Sequence, residues 1–171
     1  MKKYLFLFLI LFNYSYADDK ILYIDINFLL KESDSGKYIN NELQKINNKN
    51  IAEFKKIEES IKSEETKILK QKNILKEEDY NKKINDLREK YQSYQKLKNK
   101  KTNELKKVRN EAGNKVLKII NDILEKYSAD NNVSLIINKQ NIIIGKSELD
   151  ITKDVLILLN EKIKKVELKY E

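Results

Sequence analysis

The chain has 171 residues, enough for one ordinary domain, and 36% of them are charged, with a formal net charge of +8. Cysteine, histidine and proline are absent, which excludes disulfides, thiol chemistry and the commonest zinc ligand and leaves long helices uninterrupted. The carboxylates alternate with lysines at helical spacing and form neither a calcium-loop pattern nor an isolated pair in an apolar setting. We therefore predict no enzyme and no catalytic, metal or cofactor site.

The first residues are typical of a secretory signal. Lys2 and Lys3 precede an apolar run over residues 4–12, and Ser15-Tyr16-Ala17 has the small-x-small pattern of a cleavage site. The apolar run is short for a transmembrane helix, so an uncleaved anchor is the minor alternative. We expect export to the periplasm with cleavage after Ala17. Loss of the two lysines would lower the formal net charge from +8 to +6.

Apolar strand-like runs flank a long, charged helical stretch. Ile21–Ile26 precedes it, and Val133–Asn138 and Asn141–Gly145 follow it as a predicted β-hairpin that turns at Lys139-Gln140. Strands must pair to satisfy their backbone groups, so the helical stretch must leave the sheet and return. This order predicts an α+β fold, in which a long antiparallel coiled-coil hairpin projects from a small β body.

The outgoing helix is predicted to begin near Lys37, after a bend and cap at residues 33–36. Its apolar side chains recur every seven residues, and the second seam position turns polar at Glu64 and Gln71, so the seam thins toward its far end. Residues 76–79 are the expected tip of the hairpin. The seven-residue repeat consists of Phe54, Ile61, Ile68 and Leu75.

The returning helix is predicted over residues 79–130. Its apolar residues follow the alternating three- and four-residue spacing of a coiled coil, with a weak point at Lys98 and Lys101. A short helix with Thr152 as its N-cap should cover the sheet, and the charged tail from about Lys164 should have little to pack with. The returning helix carries Ile84, Leu87, Tyr91, Tyr94, Leu105, Val108 and Ala112 on its seam.

These elements divide the chain into four parts. Residues 1–17 are the signal, 18–36 and 128–166 the β body, 37–127 the arm, and 167–171 a charged tail. The body is small, its strands are nearly continuous apolar runs, and its sheet edges are open. An oligomer that joins sheets edge to edge would bury both the edges and the second face.

Five pieces in this order and spacing resemble the Skp (OmpH) family of periplasmic chaperones. The resemblance covers essentially the whole mature chain and implies a homotrimer, in which strands from three chains form a barrel-like body and three helical arms enclose a cavity. It implies an ATP-independent holdase that binds unfolded outer membrane proteins there and prevents their aggregation before insertion. The matching pieces are Ile21–Leu30, Glu32–Lys37, Lys76–Asp79, Val133–Asn138 and Leu149–Val155.

Two sets of site residues go with this interpretation. Lipopolysaccharide or an anionic lipid surface is a further candidate partner, although the basic residues for it cannot be placed. Tyr91 and Tyr94 lie on the heptad, so filling the hairpin seam is the favoured alternative for both. The expected trimer body core is Leu22, Ile24, Ile26, Leu135, Ile136, Ile137, Ile142, Ile143 and Ile144. The expected client-contacting arm residues are Lys70, Lys72, Tyr80, Lys82, Lys83, Arg88, Lys90 and Tyr94.

Three other functions compete with this interpretation. A structural coiled-coil spacer of the cell envelope is the main alternative, although a pure spacer has no need of a β body. A nucleic-acid binder is suggested by a pI near 9.3, but lysines interleave with glutamates, Arg88 and Arg109 are the only arginines, and we expect no specific nucleic-acid binding. A hydrolase that uses acidic residues is a distant third.

Overall fold

A computed structural model describes residues 20–170 of the protein, and the predicted signal peptide lies outside this range. The described residues form two strands, four α-helices and two short 3-10 turns. None of these helices is both long and apolar enough to cross a membrane. The elements are β1 (Lys20–Ile24), α1 (Ile26–Glu32), α2 (Asp34–Gln71), α3 (Glu77–Asn131), β2 (Val133–Asn138), the turns Lys139–Asn141 and Ser147–Leu149, and α4 (Thr152–Lys162).

The two strands pair in parallel, because α1, α2 and α3 carry the chain back to the start of the sheet. Leu22 lies opposite Ile136. After β2 the chain crosses to the other edge of β1, where the Ile151 N–H donates to the Tyr23 carbonyl at 3.0 Å. The predicted β-hairpin is therefore wrong, since residues 141–145 form no strand. A hairpin would have kept these residues beside β2, whereas the crossing brings α4 onto the core.

A close approach of two helices fixes the root of the arm. The Ser33 side chain caps α2 by accepting from the Gly36 N–H at 3.1 Å, so α2 begins at Asp34, slightly earlier than predicted. A Cβ on Gly36 would lie 2.2 Å from the Leu30 carbonyl oxygen, a distance that no side chain tolerates. Glycine therefore lets α2 pass directly against the end of α1.

Helices α2 and α3 pack side by side in opposite directions. Lys98 of α3 pairs with Glu58 of α2 and Lys90 pairs with Glu64, so later residues of one helix meet earlier residues of the other. At about 1.5 Å per residue, α2 is roughly 57 Å long and α3 roughly 82 Å long. The turn between them spans residues 72–76, slightly before the predicted tip at residues 76–79. The acidic residues of that predicted tip form the first turn of α3, as their charge predicts, because they face the positive end of its dipole.

The hydrophobic core lies where the root of the arm and α4 meet the sheet. The N-terminus of α2 is tied to α4 by the Asp34 N–H, which donates to Asn160 Oδ1 at 2.9 Å. Thr152 is the first helical residue of α4 rather than its N-cap, and its N–H donates to the Asp150 side chain at 3.0 Å. The most deeply buried apolar side chains are Ile24, Leu29, Leu43, Val116, Ile120, Val155 and Leu159.

The C-terminal tail packs on this core, which contradicts the prediction that it has little to pack with. It has no regular secondary structure, yet Val166 is buried, and Leu168 and Tyr170 are half-buried against the core. These three residues alternate with charged ones, and an extended chain presents alternate side chains to the same side. A tail with many charges can therefore still bury one apolar edge.

Candidate functional site

The middle of the arm is held by one mixed cluster of aromatic and charged side chains. The Tyr94 ring meets the Phe54 ring edge to face at 6.1 Å between centroids, and the Tyr94 hydroxyl donates to the Glu58 carboxylate. Lys98 Nζ lies 3.5 Å from Glu58 Oε1 and 5.6 Å from the centroid of the Tyr94 ring. Lys98, predicted to weaken the seam, therefore reaches across it and contributes to the contact.

The same cluster shifts the ionisation of its members. The hydrogen bond from Tyr94 lowers the pKa of Glu58, because it stabilises the carboxylate, and the Lys98 charge adds to this. Desolvation raises the pKa of Tyr94, with the hydrogen bond to Glu58 as the next cause. The hydrogen bond to Tyr94 raises the pKa of Lys98. At neutral pH the cluster holds a carboxylate, a neutral phenol and an ammonium group.

Farther out, the arm has exposed polar contacts across its two helices beside half-buried apolar residues such as Ile61, Ile84 and Leu87. Lys90 Nζ lies 2.6 Å from Glu64 Oε2 and 3.2 Å from the Ser60 hydroxyl. Ile68 is the buried apolar residue of this part of α2. At the tip, Leu69 is exposed and Ile74 has 82% of its surface exposed to solvent. The distal arm therefore presents charged side chains with a few isolated apolar ones.

The predicted client-contacting residues fall into three groups. Tyr94 is only 4% exposed, because its ring lies in the seam between α2 and α3. Tyr80 is half-buried, and Lys90 is exposed but paired across the arm. The remaining members lie on the exposed surface of the distal arm: Lys70, Lys72, Lys82, Lys83 and Arg88.

The predicted body core divides into inward and outward residues. Leu22 and Ile24 are buried within the single chain, so they already contribute to its own core. Ile143 and Ile144 have 99% and 91% of their surface exposed, and Leu135 is also exposed. We call the loop that carries Ile143 and Ile144 the body edge. The remaining predicted members are half-buried: Ile26, Ile136, Ile137 and Ile142.

A polar network pins the segment that follows the body edge. The Tyr23 hydroxyl donates to the Lys146 carbonyl at 3.1 Å, and Lys139 Nζ lies 2.9 Å from Asp150 Oδ2. Partial burial alone would raise the pKa of Asp150, but hydrogen bonds from Thr152 and Lys139 outweigh it and lower that pKa. The body edge is thus an exposed apolar loop between two fixed points, residues 139 and 146.

Sequence reasoning missed a groove at the root of the arm. Asn50 is buried on α2 and its side-chain amide donates to the Tyr170 hydroxyl at 2.7 Å. From α3, Lys115 Nζ donates to the Glu167 carbonyl at 3.2 Å, and Lys101 Nζ lies 5.0 Å from the centroid of the Tyr170 ring. We call this place, lined by Asn50, Lys101 and Lys115, the root groove. The alternation of apolar and charged residues in the tail is the feature of the sequence that could have predicted this contact.

Comparison with known proteins identifies the family. Residues 20–159 match the family described as outer membrane protein (OmpH-like), and the chain belongs to this family. No curated protein matches the sequence. Among solved structures, a proposed outer membrane chaperone (OmpH-like) from Caulobacter crescentus CB15 shares the fold. Its TM-score is 0.81 at 16% sequence identity, and the match covers 90% of each chain.

Proposed function

We propose that this protein is an ATP-independent holdase chaperone of the periplasm, which binds unfolded outer membrane β-barrel proteins and prevents their aggregation before insertion. Membership of the OmpH-like family supports a chaperone role. The observation that carries the proposal is the combination of a long, charged two-helix arm with a small body whose edge leaves isoleucines exposed. Such a chain has surfaces for self-association and for a large, poorly ordered partner.

The body edge is the proposed trimer contact. Monomeric proteins seldom leave neighbouring isoleucines as exposed as Ile143 and Ile144, and burial of each would contribute about 1.5–3 kcal/mol. Within the described residues β2 has one neighbouring strand, β1, so strand addition by another chain at its other edge would extend the sheet. Three copies joined here would form the barrel-like body, with their arms enclosing a cavity for the client.

Charge is the proposed means of capture. The expected mature charge of +6 per chain gives roughly +18 per trimer, a field that attracts acidic segments and speeds their encounter. Isolated apolar residues of the arm, such as Leu69 and Ile74, would add weak contacts that persist at high salt. Many weak contacts hold an unfolded chain and still release it without nucleotide.

The central experiment dilutes a urea-unfolded outer membrane β-barrel protein into buffer and follows light scattering. The mature protein should suppress scattering without ATP. A variant in which a short glycine-containing turn replaces residues 64–90 keeps the Phe54–Tyr94 contact and the whole body, so it should fold and assemble normally yet fail to protect the client. If the shortened variant protected clients as well as the full chain, the proposed role of the arms would be wrong.

A second experiment tests the assembly by analytical ultracentrifugation. Ile143→Lys should dissociate the trimer, because burial of an unpaired ammonium costs several kcal/mol, while the fully exposed site leaves the single chain intact. Ile74→Lys, an equally exposed isoleucine at the arm tip, is the matched control and should stay trimeric. An Ile143→Lys protein that remained trimeric at micromolar concentration would contradict this interface.

A structural coiled-coil spacer of the envelope is the second candidate. The seven-residue spacing of Phe54, Ile61 and Ile68 in α2 favours it, since a regular seam serves a spacer equally well. Mass spectrometry under native conditions separates the two functions. A dimer without client protection would favour the spacer, and a trimer with protection would favour the chaperone.

A further inference from the structure

The last described residues bind to the chain's own arm as a separate peptide would. After α4 ends at Lys162, residues 163–170 run as an extended segment to the root groove. The family match ends at residue 159, before this segment begins. We call residues 163–170 the tail.

The groove recognises the tail by its alternating pattern. Val166, Leu168 and Tyr170 are buried or half-buried, whereas Glu167 and Lys169 between them are exposed. This is the pattern of an extended strand with one apolar side. Strands of outer membrane β-barrels have the same pattern, with apolar residues at alternate positions and aromatic residues near their ends.

Three side chains of the arm provide polar contacts that suit such a peptide. Asn50 donates to the tyrosine hydroxyl at 2.7 Å, and Lys115 donates to a backbone carbonyl, that of Glu167, at 3.2 Å. Lys101 places its ammonium group over the face of the Tyr170 ring. A contact to a backbone carbonyl and a cation over an aromatic face tolerate many sequences, provided that the apolar spacing and the aromatic residue are kept.

We propose that the root groove is a binding site for an extended, alternately apolar peptide segment that ends in an aromatic residue. The tail is its intramolecular occupant, and a β-strand segment of an unfolded client displaces it. This inference rests on the proposed chaperone function and assigns to it a defined peptide site. The tail covers the buried Asn50 side chain, whereas Lys115 stays exposed beside it.

The contacts of the tail make it displaceable. Residues 164–170 form no ladder of backbone hydrogen bonds, and a segment without such a ladder opens at low cost. Its advantage is the high effective concentration that the covalent link to α4 provides, on the order of millimolar for a short flexible connection. A client that is already bound elsewhere on the arms has a comparable effective concentration at the root groove. Its strands can therefore compete with the tail for the groove.

The test measures binding of a fluorescent peptide with the sequence of residues 163–171. The peptide should bind a variant that ends at Ile163 at least about tenfold more tightly than it binds the full chain, where the groove is filled. The control peptide exchanges the positions of Leu168 and Lys169 only. It has the same composition and charge, but its apolar residues no longer alternate with charged ones, and it should not bind.

Full-length variants give the same test without truncation. Leu168→Ala combined with Tyr170→Ala should release the tail and open the groove to the fluorescent peptide, whereas Lys169→Ala, on the exposed side, should not. A synthetic peptide from an outer membrane β-strand should then displace the fluorescent one. Equal binding to the full chain and the truncated variant, binding of the control peptide with the broken alternation, or no displacement by the β-strand peptide would each overturn the inference.

The outcome separates this inference from the proposed function. If the full chain suppresses client aggregation but the opened groove binds no alternating peptide, only the peptide site is wrong. If the full chain gives no protection, the proposed function fails whatever the groove binds.

Discussion

The root of the arm and its distal part belong to the same two helices, but different forces hold them together. At the root, Leu43 of α2 and Val108, Ala112 and Val116 of α3 are buried in the continuous core. Beyond the Phe54–Tyr94 contact, an exposed Lys–Glu pair, the buried Ile68 and half-buried residues such as Ile61 replace this core. Exposed ion pairs each contribute about 0–1 kcal/mol, whereas a buried leucine contributes several times more. Stability should therefore fall along the arm, which leaves a rigid root and a distal part that opens easily.

This gradient suits the proposed holdase function. Local opening of the distal arm would let the separation of the arms follow the size of the client, while the body would keep the arms assembled. The tail lies at the root of the arm, where it packs across α2 and α3. Substitutions at the root should therefore have the largest effects on stability, and substitutions in the distal arm should have smaller ones.

The strongest perturbation of the root is Gly36→Ala. The new Cβ would lie 2.2 Å from the Leu30 carbonyl oxygen, so α1 and α2 must separate, and we expect a loss of more than about 3 kcal/mol in the free energy of unfolding. Urea denaturation followed by circular dichroism measures it. Gly113→Ala in α3, where the Cβ meets nothing within 4 Å, is the control and should stabilise by about 0.5–1 kcal/mol. Similar effects of the two substitutions would show that the close approach of α1 and α2 is not what anchors the arm.

The second test compares two buried residues of the same helix. Leu43→Ala at the root should cost about 3 kcal/mol of global stability, because it opens a cavity in the continuous core. Ile68→Ala in the distal arm should cost less than about 1.5 kcal/mol globally, since that part can open without unfolding the body. Amide hydrogen exchange should show the Ile68→Ala effect near the tip and leave β2 unchanged. An equal global loss for both substitutions would mean that the arm unfolds as one unit with the body.

Much of this architecture was predictable because it depends on local periodicity. The start and cap of α2, the long returning helix, β1 and β2 all follow from residue patterns within a few turns of chain. The alternative role of Tyr94 in the seam also followed from its heptad position, and its burial agrees with it. The family was recognisable from the order of these pieces, and the family match over residues 20–159 confirms it.

The predictions that were wrong concern contacts between segments that are far apart in the sequence. An apolar run such as Ile142–Ile144 predicts a strand, but only the tertiary path shows that the chain must cross to the far edge of β1. The charge of the tail predicts that it has little to pack with. Its alternating apolar residues decide the outcome instead, because they all face the core. Lys98 and Lys101 looked like weaknesses of the seam, yet their long side chains reach Glu58 and Tyr170 from other parts of the chain.

The smallest expected effect comes from a change of pH, which should weaken the contact between Tyr94 and Glu58 at the border between the root and the distal arm. The hydrogen bond from Tyr94 lowers the pKa of Glu58 below its ordinary value of 4.5. Because the folded pKa is depressed, the stabilisation is complete above that ordinary value and is lost as pH falls through the folded pKa. Acidification below about 4.5 should therefore reduce amide protection in residues 54–61, and Tyr94→Phe should reduce this acid sensitivity, because it removes the donor.

The comparison is made between variants at the same pH, so that titration of Asp150 in the body affects both equally. Tyr91→Phe, a half-exposed ring on the same helix, is the control and should keep the acid sensitivity of the original chain. Exchange is expressed as protection factors, which correct for the intrinsic pH dependence of the amides. If Tyr94→Phe and the original chain lost protection in parallel, the border would be set by apolar packing of Phe54 and Tyr94 alone. The charge of Glu58 would then make no contribution to the gradient of stability along the arm.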